Sequence, residues 1–336
     1  MRKTSAAGEL TAARLVEEQL ALMEQLAEVR ESVTGTPGPA SMRALDLRLY
    51  RGLQLRLLPD RGLDISSAWF DNVPLAWHSR VGEVPPIRPL AGADWLKGFG
   101  GGLVTTCGMQ NVGARSEGHG VHGTFSHTPA HDVSWRREIR EGRLRVDVFA
   151  VIDDIDPLGV QLRCERRVSA STDQPQVTIT DTVTNIGGIA TPAPWLYHIN
   201  VGAPLWSTGA TLVIDSAAVI PRDDASALAA DTWMSHRRAV ADSPEMVVEH
   251  VLDAAQPGVA RVSNQRLGLS MVVSWDRTAL PRLHQWLHRA VGINGLAIEP
   301  ANCSVLGRSA DRRDGVLPVL EPGAQRTTEI KISMES

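Results

Sequence analysis

Two residues of this chain are of types that do acid–base chemistry and sit where such types are unusual: His198 in Trp195-Leu196-Tyr197-His198-Ile199-Asn200 and Glu299 in Gly295-Leu296-Ala297-Ile298-Glu299-Pro300. An imidazole and a carboxylate in apolar settings point to proton transfer. In an extended chain side chains alternate, so Trp195, Tyr197, Ile199 and Val201 take one face while Leu196, His198 and Asn200 take the other. Leu296 and Ile298 likewise oppose Ala297 and Glu299, and Pro300 is expected to end the ladder just after the carboxylate. Taken singly, the plainer readings are a hydrogen-bonded core histidine and a solvated charge at a strand end.

Strands must carry these groups. Short β patterns are expected over Ala44–Leu58, Leu144–Val151, Val160–Val168, Val177–Thr184, Thr211–Asp215, Met246–Leu252 and Leu269–Trp275. Leu144, Val146, Val148 and Ala150 alternate with polar or aromatic neighbours, as half-buried antiparallel strands do. No helical interludes separate the strands, which excludes a parallel βαβ sheet. The expected fold is all-β: a large antiparallel sandwich over residues 36–336 whose concave face holds a ligand. Residues Glu9 to Ser32 instead place Leu15, Leu22, Leu26 and Val29 at helical spacing, and Thr34-Gly35-Thr36-Pro37-Gly38-Pro39 is a breaker cluster. Residues 1–35 therefore read as an amphipathic helical extension and linker, packed on the main body or pairing two copies as a homodimer.

With 34 Lys and Arg against 38 Asp and Glu, the net charge of -4 and the scattered arginines argue against nucleic acid or an anionic membrane as partner. Cys107, Cys164 and Cys303 are too widely spaced for a zinc knuckle and odd in number, reading as free thiols of a reducing compartment. Neither an apolar span nor a secretory leader is visible, so the expected location is cytoplasmic. Nine of the aromatic residues are Trp, whose flat faces suit the carbon faces of sugars.

Further candidates lie between the strands. Arg61, in Leu58-Pro59-Asp60-Arg61-Gly62-Leu63-Asp64-Ile65, follows a strand and could grip paired hydroxyls or remain a solvated loop charge. Gly98-Phe99-Gly100-Gly101-Gly102-Leu103 lacks the third glycine and the helix of a dinucleotide fingerprint, so its glycines are expected to let backbone approach backbone. His122 sits in a loop with His119, His127 and His131 nearby. It is expected to hold a substrate hydroxyl, while a metal site of the cupin kind built from His119, His122 and His198 is a rival reading.

The ordered series of these motifs is similar to the aldose 1-epimerase (galactose mutarotase-like) superfamily, and within it to the branch called DUF4432. The resemblance rests on Leu58 to Ile65, on Gly98 to Leu103 with Cys107-Gly108, on His122-Gly123 with Pro129-Ala130, on Tyr197-His198-Ile199-Asn200, and on Gln285-Trp286 followed by Ile298-Glu299-Pro300. It implies a β-supersandwich and a cofactor-free isomerase, without a metal, that interconverts the anomers of a monosaccharide or sugar derivative. Arg61 and His122 would then hold hydroxyls and the ring oxygen, with Asn200, Gln285 and Trp286 as further substrate contacts. His198, titrating near neutral pH, would be the general acid, and Glu299, made more basic by burial, the general base. The substrate-holding aspartate of such enzymes has no aligned counterpart among Asp215, Asp223, Asp224 and Asp276. An acidic substituent could meet Arg88, Lys97, Arg222, Arg237 or Arg289. The alternatives are a carbohydrate-binding or regulatory protein without turnover, and the metal-dependent isomerase or lyase.

Overall fold

The computed structural model describes residues 10–34, 41–88, 90–228, 230–253 and 256–336. Two large antiparallel sheets pack face to face. The first has eleven strands, in the spatial order Ala27–Thr34, Met42–Leu49, Gln54–Leu58, Asp64–Phe70, Val104–Cys107, Leu196–Val201, Gly295–Ala301, Arg282–His288, Glu245–Leu252 and Ser216–Pro221, with the short Val73–Pro74 beside Asp64–Phe70. The second has eight: Ala210–Ile214, Gly258–Asn264, Leu269–Trp275, Gln325–Glu335, Gln174–Asn185, Gln161–Ser171, Arg143–Ile155 and His131–Arg140. The all-β expectation holds. Among the described residues, no helix is long and apolar enough to cross a membrane, and all three cysteines are free and buried.

Alternation explains which strands do what. In Gly258–Asn264 and Leu269–Trp275 every second residue is buried, the pattern of a sheet with one face on the core and one in solvent. Leu196–Val201 and Gly295–Ala301 are buried throughout, so their second face is covered as well. Trp195, Tyr197, Ile199, Leu296 and Ile298 point into the core between the sheets. On the opposite face Leu196 and Ala301 join Trp95, Cys107, Val112 and Cys303 in a smaller cluster beneath the loops that cap this sheet. The ladder continues through Pro300 to Ala301, so Glu299 is an interior strand residue rather than a strand-end charge.

A buried ionic cluster ties the two sheets together. Arg166 in the second sheet donates to Asp181 Oδ2 at 2.7 Å and, across the interface, to Asp64 Oδ1 at 2.7 Å and Thr106 Oγ1 at 2.8 Å. Tyr197 Oη donates to Asp181 Oδ2 at 2.6 Å. Tyr197 thus fixes the strand on whose other face His198 lies.

The N-terminal segment differs from its expectation. Two short helices, Ala12–Glu17 and Met23–Leu26, replace a continuous one, and Ala27–Thr34 is a strand paired antiparallel with Met42–Leu49. Burial along this strand does not alternate, and the partner strand that completes its hydrogen bonds overrides the helical spacing. Ala12 and Ala27 are fully buried in the main core, so this segment packs on the main body, one of the two placements expected, and adds an edge strand to the sandwich. The breaker cluster at 35–40, and with it the expected domain boundary, lies outside the described residues.

Candidate active site

His198 and Glu299 meet because of strand register. Their strands are adjacent, pairing Leu196 with Ala301 and Ile199 with Ile298, which sets position 198 across from position 299 on the same face. His198 Nε2 lies 3.1 Å from Glu299 Oε1, and both residues are buried. On the far side of Glu299 the register places His284, whose Nε2 donates to the Cys303 carbonyl at 3.0 Å.

The pair opens into a cavity of about 620 Å³. Its inner wall is aromatic. Phe99 lies 5.2 Å and Trp286 5.9 Å, centroid to centroid, from the His198 ring, and Trp77 packs edge-on to Trp286 at 5.4 Å. Trp95 stacks on Phe99 at 4.6 Å and approaches the His122 ring at 4.5 Å. The glycine run makes this packing possible: at Gly101, with φ of 78°, a Cβ would come within 2.5 Å of the Trp77 carbonyl.

His122 lines the cavity beside Trp95, with φ of 57°. Its backbone is held on both sides, its N–H donating to Gly113 O at 3.1 Å and its carbonyl accepting from Gly108 N at 3.1 Å. The Gly113 N–H donates to His122 Nδ1 at 3.3 Å, which leaves the proton of the neutral ring on Nε2. At the cavity rim, Arg222 donates from Nη2 to Glu245 Oε1 at 2.8 Å and from Nε to Asp223 Oδ2 at 2.8 Å, while Trp286 Nε1 donates to Glu245 Oε2 at 3.0 Å.

Burial drives both members of the pair toward their uncharged forms. The Glu299 carboxyl is pushed up to about 8, chiefly by desolvation and further by Glu245, with Arg222 opposing. The His198 imidazole is pushed down to about 3, first by desolvation and then by His122, with the Asn200 side chain opposing. The expectation that His198 titrates near neutral pH is therefore corrected, while raised basicity at Glu299 agrees with it. Between those values the pair holds one proton, placed by desolvation on the carboxyl, so that Glu299 donates to Nε2. His198 Nδ1 then carries the ring hydrogen; it and Asn200 Oδ1 are both buried without a hydrogen-bond partner. Burial also holds His122 down to about 4, so it is neutral at pH 7.

Of the other expected site residues, His122 and Trp286 line the cavity and three do not. Arg61 is buried, its donors spent on backbone: Nε on Ser126 O, Nη1 on Val84 O at 2.9 Å and Nη2 on Gly98 O at 2.9 Å. Nη2 also lies 3.3 Å from His127 Nε2, so Arg61 holds together the loops around the cavity without lining it. Gln285 faces the other side of its strand, accepting from His250 Nε2 at 3.0 Å and donating to Trp233 O at 3.2 Å. Asn200 lies behind His198, its Nδ2 donating to Gly102 O at 2.9 Å and His198 O at 3.0 Å. His119 does not line the cavity and accepts from Arg308 Nη1 at 2.8 Å. Among the described residues no three His, Cys, Asp or Glu side chains converge as a metal site, so the set His119, His122 and His198 is not assembled.

Sequence reasoning missed Glu245, Trp77, Trp95, Phe99 and His288 as lining residues, and of the five candidate cations only Arg222 reaches the cavity. None of the four aspartates considered lines it, and Glu245 is the carboxylate present beside Glu299. The signal for Glu245 was alternation: it shares a strand face with Val247, and the register pairs these two with His288 and Trp286.

Comparisons with known proteins agree with this architecture. Residues 39–334 match the family described as DUF4432, a domain of unknown function. No curated protein matches. Among solved structures, a Klebsiella pneumoniae protein provisionally assigned as an aldose 1-epimerase superposes with a TM-score of 0.83 at 20% identity, covering 91% of this chain and 83% of that one. A galactose mutarotase-like protein from Clostridium acetobutylicum gives 0.62 at 13% identity over 93% and 99% of the two chains. The galactose 1-epimerase of Lactobacillus acidophilus gives 0.58 at 13% identity over 92% and 99%. At these identities the likeness is one of fold. The chain belongs to the DUF4432 family and has the galactose mutarotase-like fold.

Proposed function

We propose that this protein is an aldose 1-epimerase-like isomerase that interconverts the anomers of a sugar, with His198 and Glu299 as its acid–base pair. The observation that carries the reading is the 3.1 Å contact between these two buried groups at the base of an aromatic-walled cavity. Mutarotation needs one proton taken from the C1 hydroxyl and one given to the ring oxygen. The O1–H and C1–O5 bonds break as the C1 carbonyl and an O5–H bond form, and after rotation about C1–C2 the ring closes on the other face.

A pair that holds a single proton suits this exchange. With the proton on His198, the imidazolium gives it to the ring oxygen while the Glu299 carboxylate takes the one from O1. The pair is then left as neutral imidazole and protonated carboxyl, and reclosure runs the transfer backward. The two tautomers are thus the two ends of one half-reaction, separated by a proton jump across one hydrogen bond. His122 Nε2–H is placed to donate to a substrate oxygen, Trp286 to cover a ring face, and Glu245 with Arg222 to meet hydroxyls at the mouth.

Anomer-exchange NMR over a panel of reducing sugars tests the proposal. Glu299→Gln and His198→Asn should each lower the catalysed rate by about 10²–10⁴-fold while circular dichroism stays that of the parent. Near-parental exchange in either folded variant would overturn the assigned roles. Sugar binding without exchange in the parent would identify a binding protein instead.

A further inference from the structure

The cavity differs from what a fully hydroxylated hexose requires. Apart from O1 and the ring oxygen, such a sugar carries four hydroxyls, each a donor in need of an acceptor. Side-chain acceptors gather at the rim. Glu245 there accepts on both oxygens, from Arg222 and Trp286, and keeps a further lone pair on each. Ser79 Oγ donates to the Phe99 carbonyl at 2.6 Å and accepts from the Val81 N–H at 3.1 Å. His122 Nδ1 accepts from Gly113. His288 donates through Nε2 to Ser243 O at 2.9 Å, which leaves its Nδ1 as a further acceptor.

Apolar surface takes the remaining space. Trp77, Phe99, Val247, Trp286, Ile293 and Val305 line the body of the cavity, and Leu96 and Leu306, 52% and 48% exposed, continue that surface out to the rim. Exposed leucines that rim an apolar cavity are surface a ligand can cover. The cations are poorly placed for an anionic group. Arg222 is held by two carboxylates, and Arg80 is exposed at the mouth, where solvent screens it.

We infer that the preferred substrate is a reducing sugar whose hydroxyls away from C1 are partly removed or alkylated, a deoxy or O-alkyl aldose, rather than a phosphorylated sugar or a sugar acid. An ether oxygen accepts from the His122 and Arg222 donors without needing an acceptor of its own, and a methyl group fills apolar wall that a hydroxyl would leave unpaired. This inference rests on the proposed anomer exchange for its kinetic readout and on the cavity alone for its binding readout.

The experiment measures anomer-exchange kcat/KM by NMR for an aldohexose, its 6-deoxy and O-methyl counterparts, its 6-phosphate and its uronate, in the gluco, galacto and manno series. Affinity for the same compounds is measured in parallel by tryptophan fluorescence. The 6-deoxy or O-methyl sugar should exceed the parent hexose by about tenfold or more, the order expected for one apolar group in a fitted pocket, and the phosphate and uronate should fall below the parent. A phosphate or uronate at or above the parent, or deoxy and O-methyl sugars no better than it, would overturn the inference. If no sugar exchanges, the proposed activity fails, and the affinities alone decide: tighter binding of the deoxy or O-methyl compounds than of the hexose and its phosphate supports the inference, and any other order overturns it.

Discussion

The proton shared by His198 and Glu299 leaves a signature in stability that requires no substrate. Unfolded, the imidazole titrates at 6.5 and the carboxyl at 4.5, whereas in the folded protein burial moves them to about 3 and about 8. The folded pair therefore keeps one proton between those limits. The unfolded pair holds two below pH 4.5, one from 4.5 to 6.5 and none above. From about pH 3 to 4.5 the unfolded state binds the extra proton, so stability rises with pH. Between 4.5 and 6.5 the counts match, and from 6.5 to about 8 the folded state binds more, so stability falls. Each flank spans about 1.5 pH units at about 1.4 kcal/mol per proton and unit, a change of roughly 2 kcal/mol. The count is the same whichever partner carries the proton. Urea unfolding across this range, for the parent and for the double variant His198→Asn with Glu299→Gln, isolates the pair by difference. The difference should peak on a plateau between pH 4.5 and 6.5 and decline by roughly 2 kcal/mol by pH 8. A difference that stays level from pH 6.5 to 8 would refute the burial argument, because both groups would then titrate as they do in water. Infrared difference spectra locate the proton: a protonated-carboxyl band at pH 7 that disappears in Glu299→Gln places it on Glu299.

Two further perturbations test the corrected parts of the sequence reading. Arg61→Ala strips three backbone carbonyls of their donors and should cost at least about 2 kcal/mol in urea unfolding, with sugar KM within twofold of the parent; a tenfold KM change at near-parental stability would return Arg61 to the binding site. A chain starting at Thr36 loses the strand that covers Met42–Leu49 and the buried Ala12 and Ala27, so its melting temperature should fall and light scattering should report association through the bared edge. An unchanged melting temperature in a monodisperse sample would mean that the segment is an appendage after all.

The errors and successes of the sequence reading share one cause. Period two is local, so the faces of Trp195 to Val201 and of Leu296 to Glu299 were legible from residue types alone. The same rule excludes Gln285 and Trp286 as joint ligand contacts, because neighbours in a strand face opposite ways; with Trp286 in the cavity, Gln285 must enter the core. Arg61 was not legible, because a charge between a strand and a glycine looks solvated until the loops carrying Ser126, Val84 and Gly98 fold over it. Alternation sets Glu245 on the face of Val247, but that this face meets the pair, and that Trp77 joins it, follows only from the order of strands in the sheet. The N-terminal segment fits helical spacing, and only its partner strand, remote from the local pattern, makes it a strand.

Proton inventory and substrate preference then follow from one physical condition. The aromatic wall that excludes water from His198 is what lowers its pKa, and the same wall is what leaves a hydroxyl without an acceptor. Polar groups added to that wall would rehydrate the pair, return Glu299 toward 4.5, and relax the preference against hydroxylated sugars together. The two properties should therefore move in step across variants of the wall. A polar substitution at Val247 that shifts the alkaline limb of the pH profile without changing the ratio of deoxy sugar to hexose would separate them, and would show that the cavity's apolar surface serves the proton pair alone.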